Sequence, residues 1–369
     1  YQFMKNRIDH LDITPAQLAL DPCNASSVIT DVNTGDVLAI VSYPGYDNNM
    51  MANSIDADYY AKLNADKSRP QYNYATQYTA APGSTFKMMV ASAGLMEGVI
   101  TLSSQTNCTG TFDELPNDPH PPRCWRRSGH GNENVTTAIR DSCNYYFYNV
   151  GYQFSMGSGS YVETEGLDTL HKYADLFGLT EKSGIEIAEV APNVSTEDPM
   201  RSSIGQGSNS YTTAALARYV TAVANKGTCY NLTLLDKVTD SDGNVIQEFQ
   251  PDIRNTIDMP QEYWDAIQAG MRQAVENKVY FQELAVSVAG KTGTAEERTS
   301  RPPHALFTCF APYEQPEIAI ATRIPFGNSS DHVAQATRDI IKYYYGLAEE
   351  EELITGTADM PDEGITNEM

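Results

Sequence analysis

Apolar positions alternate with small or polar ones near both ends of the chain and recur at three- and four-residue spacing in between. Residues 26–43 read as a β-hairpin: Val28, Ile29 and Val32 form one arm, Val37 to Val41 the other, and Asn33-Thr34-Gly35-Asp36 the turn. Pro44-Gly45 ends it. A second turn signal, Pro82-Gly83, opens a helix over residues 84–91 whose positions are apolar on every side, the mark of a buried helix. Residues 135–150, 169–177 and 212–225 carry helical periodicity, with a flexible Gly- and Ser-rich loop at 155–160. A small exposed hairpin is expected at 232–238 and 244–249 around Ser241-Asp242-Gly243, then a helix at 264–275. Strand patterns return at 285–296, 305–312 and 317–325, and an amphipathic helix closes the pattern at 332–345.

Two early strands, three late strands and helices between them predict an α+β fold: a five-stranded antiparallel sheet built from both chain ends, with an inserted helical lobe. The expected unit runs from 26 to 347, with a sheet lobe at about 26–80 and 285–347 and a helical lobe at about 81–284. Residues 1–25 are read as the remnant of an N-terminal linker or pedestal. Residues 348–369, acidic and without a basic side chain, are read as a disordered tail.

Charge narrows the function. With 25 Lys and Arg against 48 Asp and Glu, the formal charge is −23, which argues against nucleic acid and against anionic lipid as partners. No apolar run is long enough to cross a bilayer. The six cysteines, at 23, 108, 124, 143, 229 and 309, contain no C-x-x-C pair, so the spacing gives a zinc site no support. Most are read as small buried hydrophobes. Cys108 and Cys124 differ, because they flank the polar, Pro-rich stretch 113–123 and are a candidate disulfide in an oxidising compartment.

Three short motifs carry candidate chemistry, each weak alone; S-x-x-K arises by chance roughly once or twice in a chain of this length. Ser84 and Lys87 stand at i and i+3, so a helix aims both from one face. Ser84 also falls at a helix start, where unpaired N–H groups favour an oxyanion. A capping serine with a solvated lysine is the ordinary alternative. Here the apolar neighbours Phe86, Met88, Met89 and Val90 would bury Lys87, and a buried neutral amine is a general base. Ser142-Cys143-Asn144 supplies a hydroxyl for proton relay and an amide to hold Lys87, or merely a polar helix start. Lys291-Thr292-Gly293-Thr294 lies in a strand pattern, where the glycine marks close approach of another backbone, or an ordinary turn. An extended peptide could lie along that strand, its C-terminal carboxylate taken by Lys291, Thr292 and Thr294.

Motif identity, order and setting together resemble the S-x-x-K, S-x-N and K-T-G signature of penicillin-binding proteins and class A β-lactamases. The likeness extends through Asp31 to Ala39, Pro82 to Lys87, Ile204-Gly205-Gln206-Gly207, Ala289 to Glu296 and Phe310-Ala311-Pro312, and so over roughly residues 26–345. It is similar to the transpeptidase domain of a class B penicillin-binding protein. The segment from Cys124-Trp125 to Gly129-His130-Gly131 leans toward the elongation-type branch, penicillin-binding protein 2-like.

The resemblance implies a β-lactamase/D,D-peptidase-like fold and a two-step acyl transfer. Ser84 would be the nucleophile, Lys87 its base, Ser142 the proton relay, and Asn144 the amide that holds Lys87 and a substrate carbonyl. Lys291, Thr292, Gly293 and Thr294 would bind substrate, with the Ser84 and Thr294 N–H groups as oxyanion hole. Implied partners are peptidoglycan stem peptides (a D-Ala-D-Ala donor and an amine acceptor), β-lactam antibiotics and a membrane glycan polymerase of the elongation machinery. The implied location is the extracytoplasmic face of the cell membrane, with an anchor upstream of Tyr1. No cofactor is implied. Alternatives on the same fold are a β-lactamase, a D,D-carboxypeptidase or a non-catalytic penicillin-sensing receptor domain. The class A segment E-x-x-L-N, which would aim a hydrolytic water, is missing. His130 and His332 are read as structural, because Ser84 and Lys87 already supply nucleophile and base. Cys143 is read as packed.

Overall fold

In the computed structural model, residues 2–10, 24–115, 119–297 and 300–354 are described. The chain enters with α1 (Gln2–Asp9), then forms β1 (Ala25–Asp31), β2 (Val37–Tyr43), α2 (Ala57–Ala65) and α3 (Lys87–Met96). The helical middle holds β3 (Thr106–Cys108), β4 (Gly131–Glu133), α4 (Val135–Arg140), α5 (Asn144–Phe154), α6 (Glu163–Leu176), α7 (Pro199–Ser202) and α8 (Thr213–Ala224). Next come β5 (Thr228–Asn231), β6 (Lys237–Thr239), β7 (Val245–Glu248), β8 (Asp252–Thr256), α9 (Gln261–Glu276) and α10 (Val279–Gln282). The chain closes with β9 (Ala289–Ala295), β10 (His304–Ala311), β11 (Ile318–Ile324), α11 (Ser330–Tyr344) and α12 (Glu350–Leu353).

The sheet is the expected one, five antiparallel strands in the order β2-β1-β11-β10-β9. Its inner face rests on α8, a helix buried at every residue. β1 buries hydroxyl-bearing side chains there because each finds a partner: Ser26 Oγ lies 2.8 Å from Thr213 Oγ1, and Thr30 Oγ1 lies 2.6 Å from Thr221 Oγ1. On the outer face α11 turns Val333, Ala334, Thr337 and Ile341 inward, the helical spacing of an amphipathic element. α3 is buried from Lys87 to Leu95, as its all-round apolar pattern requires.

Four expectations need correction. The helix read over 135–150 is broken: α4 stops at Arg140, α5 starts at Asn144, and Ser142 between them has φ +52°. Periodicity hides the break because Val135, Ala138, Ile139, Phe147 and Val150 all still face one core. The turn bearing Ser84 is a 3-10 segment (Gly83–Phe86), and the α-helix proper begins at Lys87. In the loop at 155–160, Ser155 is buried and its hydroxyl donates to Gly151 O at 3.1 Å. The tail read as disordered from 348 includes the helical turn α12, while residues 355–369 lie outside the described residues, as do 11–23 with Cys23. Among the described residues no helix is long and apolar enough to cross a membrane.

Candidate active site

The 3-10 turn has about three residues per revolution, so Ser84 and Lys87 come out on one face, directly above each other. Ser84 is half-buried; Lys87 is fully buried, and its amine points into the break between α4 and α5. Lys87 Nζ donates to Ser142 O at 2.8 Å, to Asn144 Oδ1 at 2.7 Å and to Ser142 Oγ at 3.2 Å. The Ser142 hydroxyl donates in turn to Ser84 Oγ at 3.0 Å. It therefore bridges the Lys87 amine and the Ser84 hydroxyl in one hydrogen-bonded chain.

The strand motif reaches this turn backbone to backbone. A Cβ on Gly293 would lie 2.8 Å from Pro82 O and from Thr85 Cγ2, so only glycine admits the Ser84 turn against β9. Gly83, at φ +53°, presents no side chain where Thr294 O approaches it, and its N–H donates to Gly205 O at 3.1 Å. Lys291 is buried and donates to Thr292 O at 3.1 Å, while Thr292 and Thr294 are half-buried on the same terminal strand. Hydrogen bonds thus join Ser84, Lys87, Ser142 and Asn144. Backbone contact brings Gly293 and Thr294 to them, with Lys291 and Thr292 on the strand beside.

Sequence reasoning missed a second cluster. The side-chain ligand atoms of Cys108, Cys124, His130 and Cys143 all lie within 4.8 Å of one another. Both Cys108 and Cys124 are free thiols, which corrects the candidate disulfide, and their sulfurs stand 3.7 Å and 3.5 Å from His130 Nδ1. Zn–S bonds of about 2.3 Å and Zn–N bonds of about 2.0 Å at tetrahedral angles separate N and S by roughly 3.5 Å, so one histidine and three thiols fit a closed, four-coordinate Zn²⁺ site. Sequence spacing alone does not anticipate such a group, because the fold assembles it. The ligands come from tertiary pairing: β3 sets Cys108 opposite Gly131 on β4, next to His130, and the Cys124 N–H donates to Gly110 O at 2.9 Å. Hydrogen bonding from the Cys143 thiol and from His130 pulls the Cys124 thiol down, while the same contact and burial push Cys143 up. Cys143 separates Ser142 from Asn144, so whatever fixes its sulfur also fixes the two residues that hold Lys87.

Comparison with known proteins identifies the family. The family model for the penicillin binding protein transpeptidase domain matches residues 25–342. The peptidoglycan D,D-transpeptidases MrdA of Haemophilus influenzae and of Escherichia coli K12 are each 30% identical over 86% of this chain, which spans 52% and 54% of their lengths. The chain thus spans about half the length of the curated relatives it matches. Pseudomonas aeruginosa PBP2, solved in complex with WCK 5153, superposes with a TM-score of 0.76 at 30% identity, over 94% of this chain and 79% of that one. Penicillin-binding protein A of Mycobacterium tuberculosis, solved as a ceftriaxone acyl-enzyme, gives a TM-score of 0.77 at 25% identity, over 87% and 74%. The family match over residues 25–342, with relatives 30% identical across 86% of the sequence, shows that this chain belongs to the penicillin-binding protein transpeptidase family.

Proposed function

We propose that this chain is the catalytic part of a peptidoglycan D,D-transpeptidase that cross-links stem peptides through an acyl-enzyme on Ser84. The observation that carries the reading is the Ser142 hydroxyl, placed 3.0 Å from Ser84 Oγ and 3.2 Å from Lys87 Nζ beside the terminal strand of the sheet. The donor peptide adds as a further strand along β9, with Lys291, Thr292 and Thr294 taking its C-terminal carboxylate. Neutral Lys87 accepts the Ser84 proton, and Ser84 Oγ attacks the carbonyl between the two D-alanines. The N–H groups of Ser84 and Thr294 hold the oxyanion. Ser142 passes the proton from Lys87 to the departing D-alanine amine. The acceptor amine then attacks the ester, returns its proton along the same path and frees Ser84.

β-Lactams acylate the same serine, a reading supported by the acyl-enzyme of the mycobacterial neighbour. A glycan polymerase partner is supported by the neighbour solved within a peptidoglycan synthase complex that coordinates polymerization and crosslinking, 28% identical over 89% of this chain. Residues 26–347 form the catalytic unit, which works at the extracytoplasmic face of the membrane, held by an anchor upstream.

Intact-protein mass after penicillin treatment tests the class. A stable adduct on the wild type and none on Ser84→Ala is expected; an adduct on both would sink the nucleophile. Transfer of the acyl group from a D-Ala-D-Ala peptide to a D-amino acid separates a transferase from a sensor, which would acylate and go no further.

A further inference from the structure

We propose that Trp125 is a positioning residue for the acylation step, holding Ser142 in the backbone conformation that aims its hydroxyl at Ser84; this rests on the reading of Ser84 as nucleophile. Ser142, at φ +52°, is a residue with a Cβ held in the left-handed region. Helix flanks it on both sides, α4 to Arg140 and α5 from Asn144. α4 closes there with the Ser142 N–H donating to Ile139 O at 3.3 Å and the Cys143 N–H to Ala138 O at 2.9 Å, a left-handed closure that costs a residue with a Cβ more than glycine; relaxation of Ser142 to a right-handed conformation would carry Oγ away from Ser84.

The Trp125 side chain opposes that relaxation. Its indole Nε1 donates to Asp141 O and to Ser142 O, each at 3.1 Å. These two carbonyls belong to the peptide planes on either side of the Ser142 Cα. One donor shared between them restrains how far the two planes can turn apart, and with them φ and ψ of Ser142. A carbonyl oxygen has two lone pairs, and Lys87 Nζ takes the other one on Ser142 O at 2.8 Å. Trp125 and Lys87 thereby saturate that oxygen from two directions. The indole itself is half-buried and packs edge-to-face on His130, with ring centroids 5.1 Å apart. Trp125 thus acts through Ser142, upon the step in which Ser142 moves a proton.

Two replacements remove the N–H: Trp125→Phe, and benzothienylalanine at 125, which keeps the bicycle and puts sulfur where the N–H was. Saturation kinetics with a fluorescent penicillin separate the limiting rate of Ser84 acylation from the affinity of the preceding complex. The limiting rate is expected to fall about tenfold in both proteins while that affinity stays within about twofold of wild type. A limiting rate equal to wild type in both, or a change confined to affinity, overturns the inference. Should Trp125→Phe fail to fold, the benzothienylalanine protein decides, because its shape is that of tryptophan. A wild type that penicillin does not acylate at Ser84 would sink the functional reading, and this inference with it.

Discussion

Gly83 and Thr294 touch backbone to backbone: at φ +53° Gly83 leaves the space that Thr294 O occupies, and a Cβ there would run into that carbonyl. This contact seats the Ser84 turn on β9. Gly83→Ala combines a disfavoured left-handed alanine with a steric push of the turn away from β9. The expected result is a destabilisation of about 2–4 kcal/mol in thermal or denaturant unfolding. Displacement of reacting groups by even about 1 Å slows chemistry roughly a hundredfold, so penicillin acylation should fall by about that factor. Wild-type acylation in a folded Gly83→Ala protein would show that the contact is not needed to align the site.

Lys87 separates stability from activity. It is a buried amine in a helix otherwise made of apolar and small residues, and the groups around it are carbonyl oxygens, which are left short of a partner in folded proteins more often than N–H groups are. Lys87→Met keeps the volume and removes the amine. Acylation of Ser84 should fall by about 100- to 10,000-fold, the usual worth of a general base, while the melting temperature is unchanged or raised. Acylation left intact alongside a large drop in melting temperature would make the lysine structural.

Much of this was legible along the chain because local pattern and final environment agree. β1 and β2 read as a hairpin from their turn, and α3 read as buried because apolar residues ring it. The order of Ser84, Ser142 and Lys291 survived intact into the site. What stayed hidden depends on pairing between distant segments. The break at Ser142 leaves no trace in the periodicity, since both short helices keep facing one core. The Cys108, Cys124, His130 and Cys143 cluster follows no short spacing rule, because β3 and β4 bring its halves together. Arg218 and Arg323, both buried at 0% exposure, are charges in the interior that no local pattern announces.

The same cluster gives a test by metal. Protein treated with chelator and then titrated with Zn²⁺ should take up one equivalent, and Co²⁺ in its place should show the thiolate charge-transfer and visible bands of a tetrahedral site. Because Cys143 lies between the two residues that hold Lys87, the metal-loaded protein should melt higher and acylate faster than the stripped one. Cys108→Ser should weaken metal uptake. A cluster that binds neither ion, with all thiols reactive in the native protein, would rule the site out.

His304 sets a pH dependence of stability. It begins β10 at 1% exposure; its Nδ1 accepts from the Phe326 N–H at 3.1 Å, which leaves Nε2 as the nitrogen that donates to Glu297 Oε2 at 2.9 Å. That arrangement requires a neutral ring, since a proton on Nδ1 would face the Phe326 N–H. Burial holds the His304 pKa below its ordinary value, Glu297 opposes this, and the Arg323 and Arg301 charges add to the lowering. A depressed value means that the unfolded chain takes up a proton the folded chain refuses. The stabilisation is therefore present above the unfolded value, near 6.5, and is lost as pH falls toward the folded one. His304→Gln can accept from Phe326 and donate to Glu297 without titrating. The difference in melting temperature between wild type and His304→Gln should shift against the wild type from about pH 7 to about pH 5, with a slope of at most about one proton. Parallel curves over that range would mean that the ring titrates alike in the folded and unfolded chain.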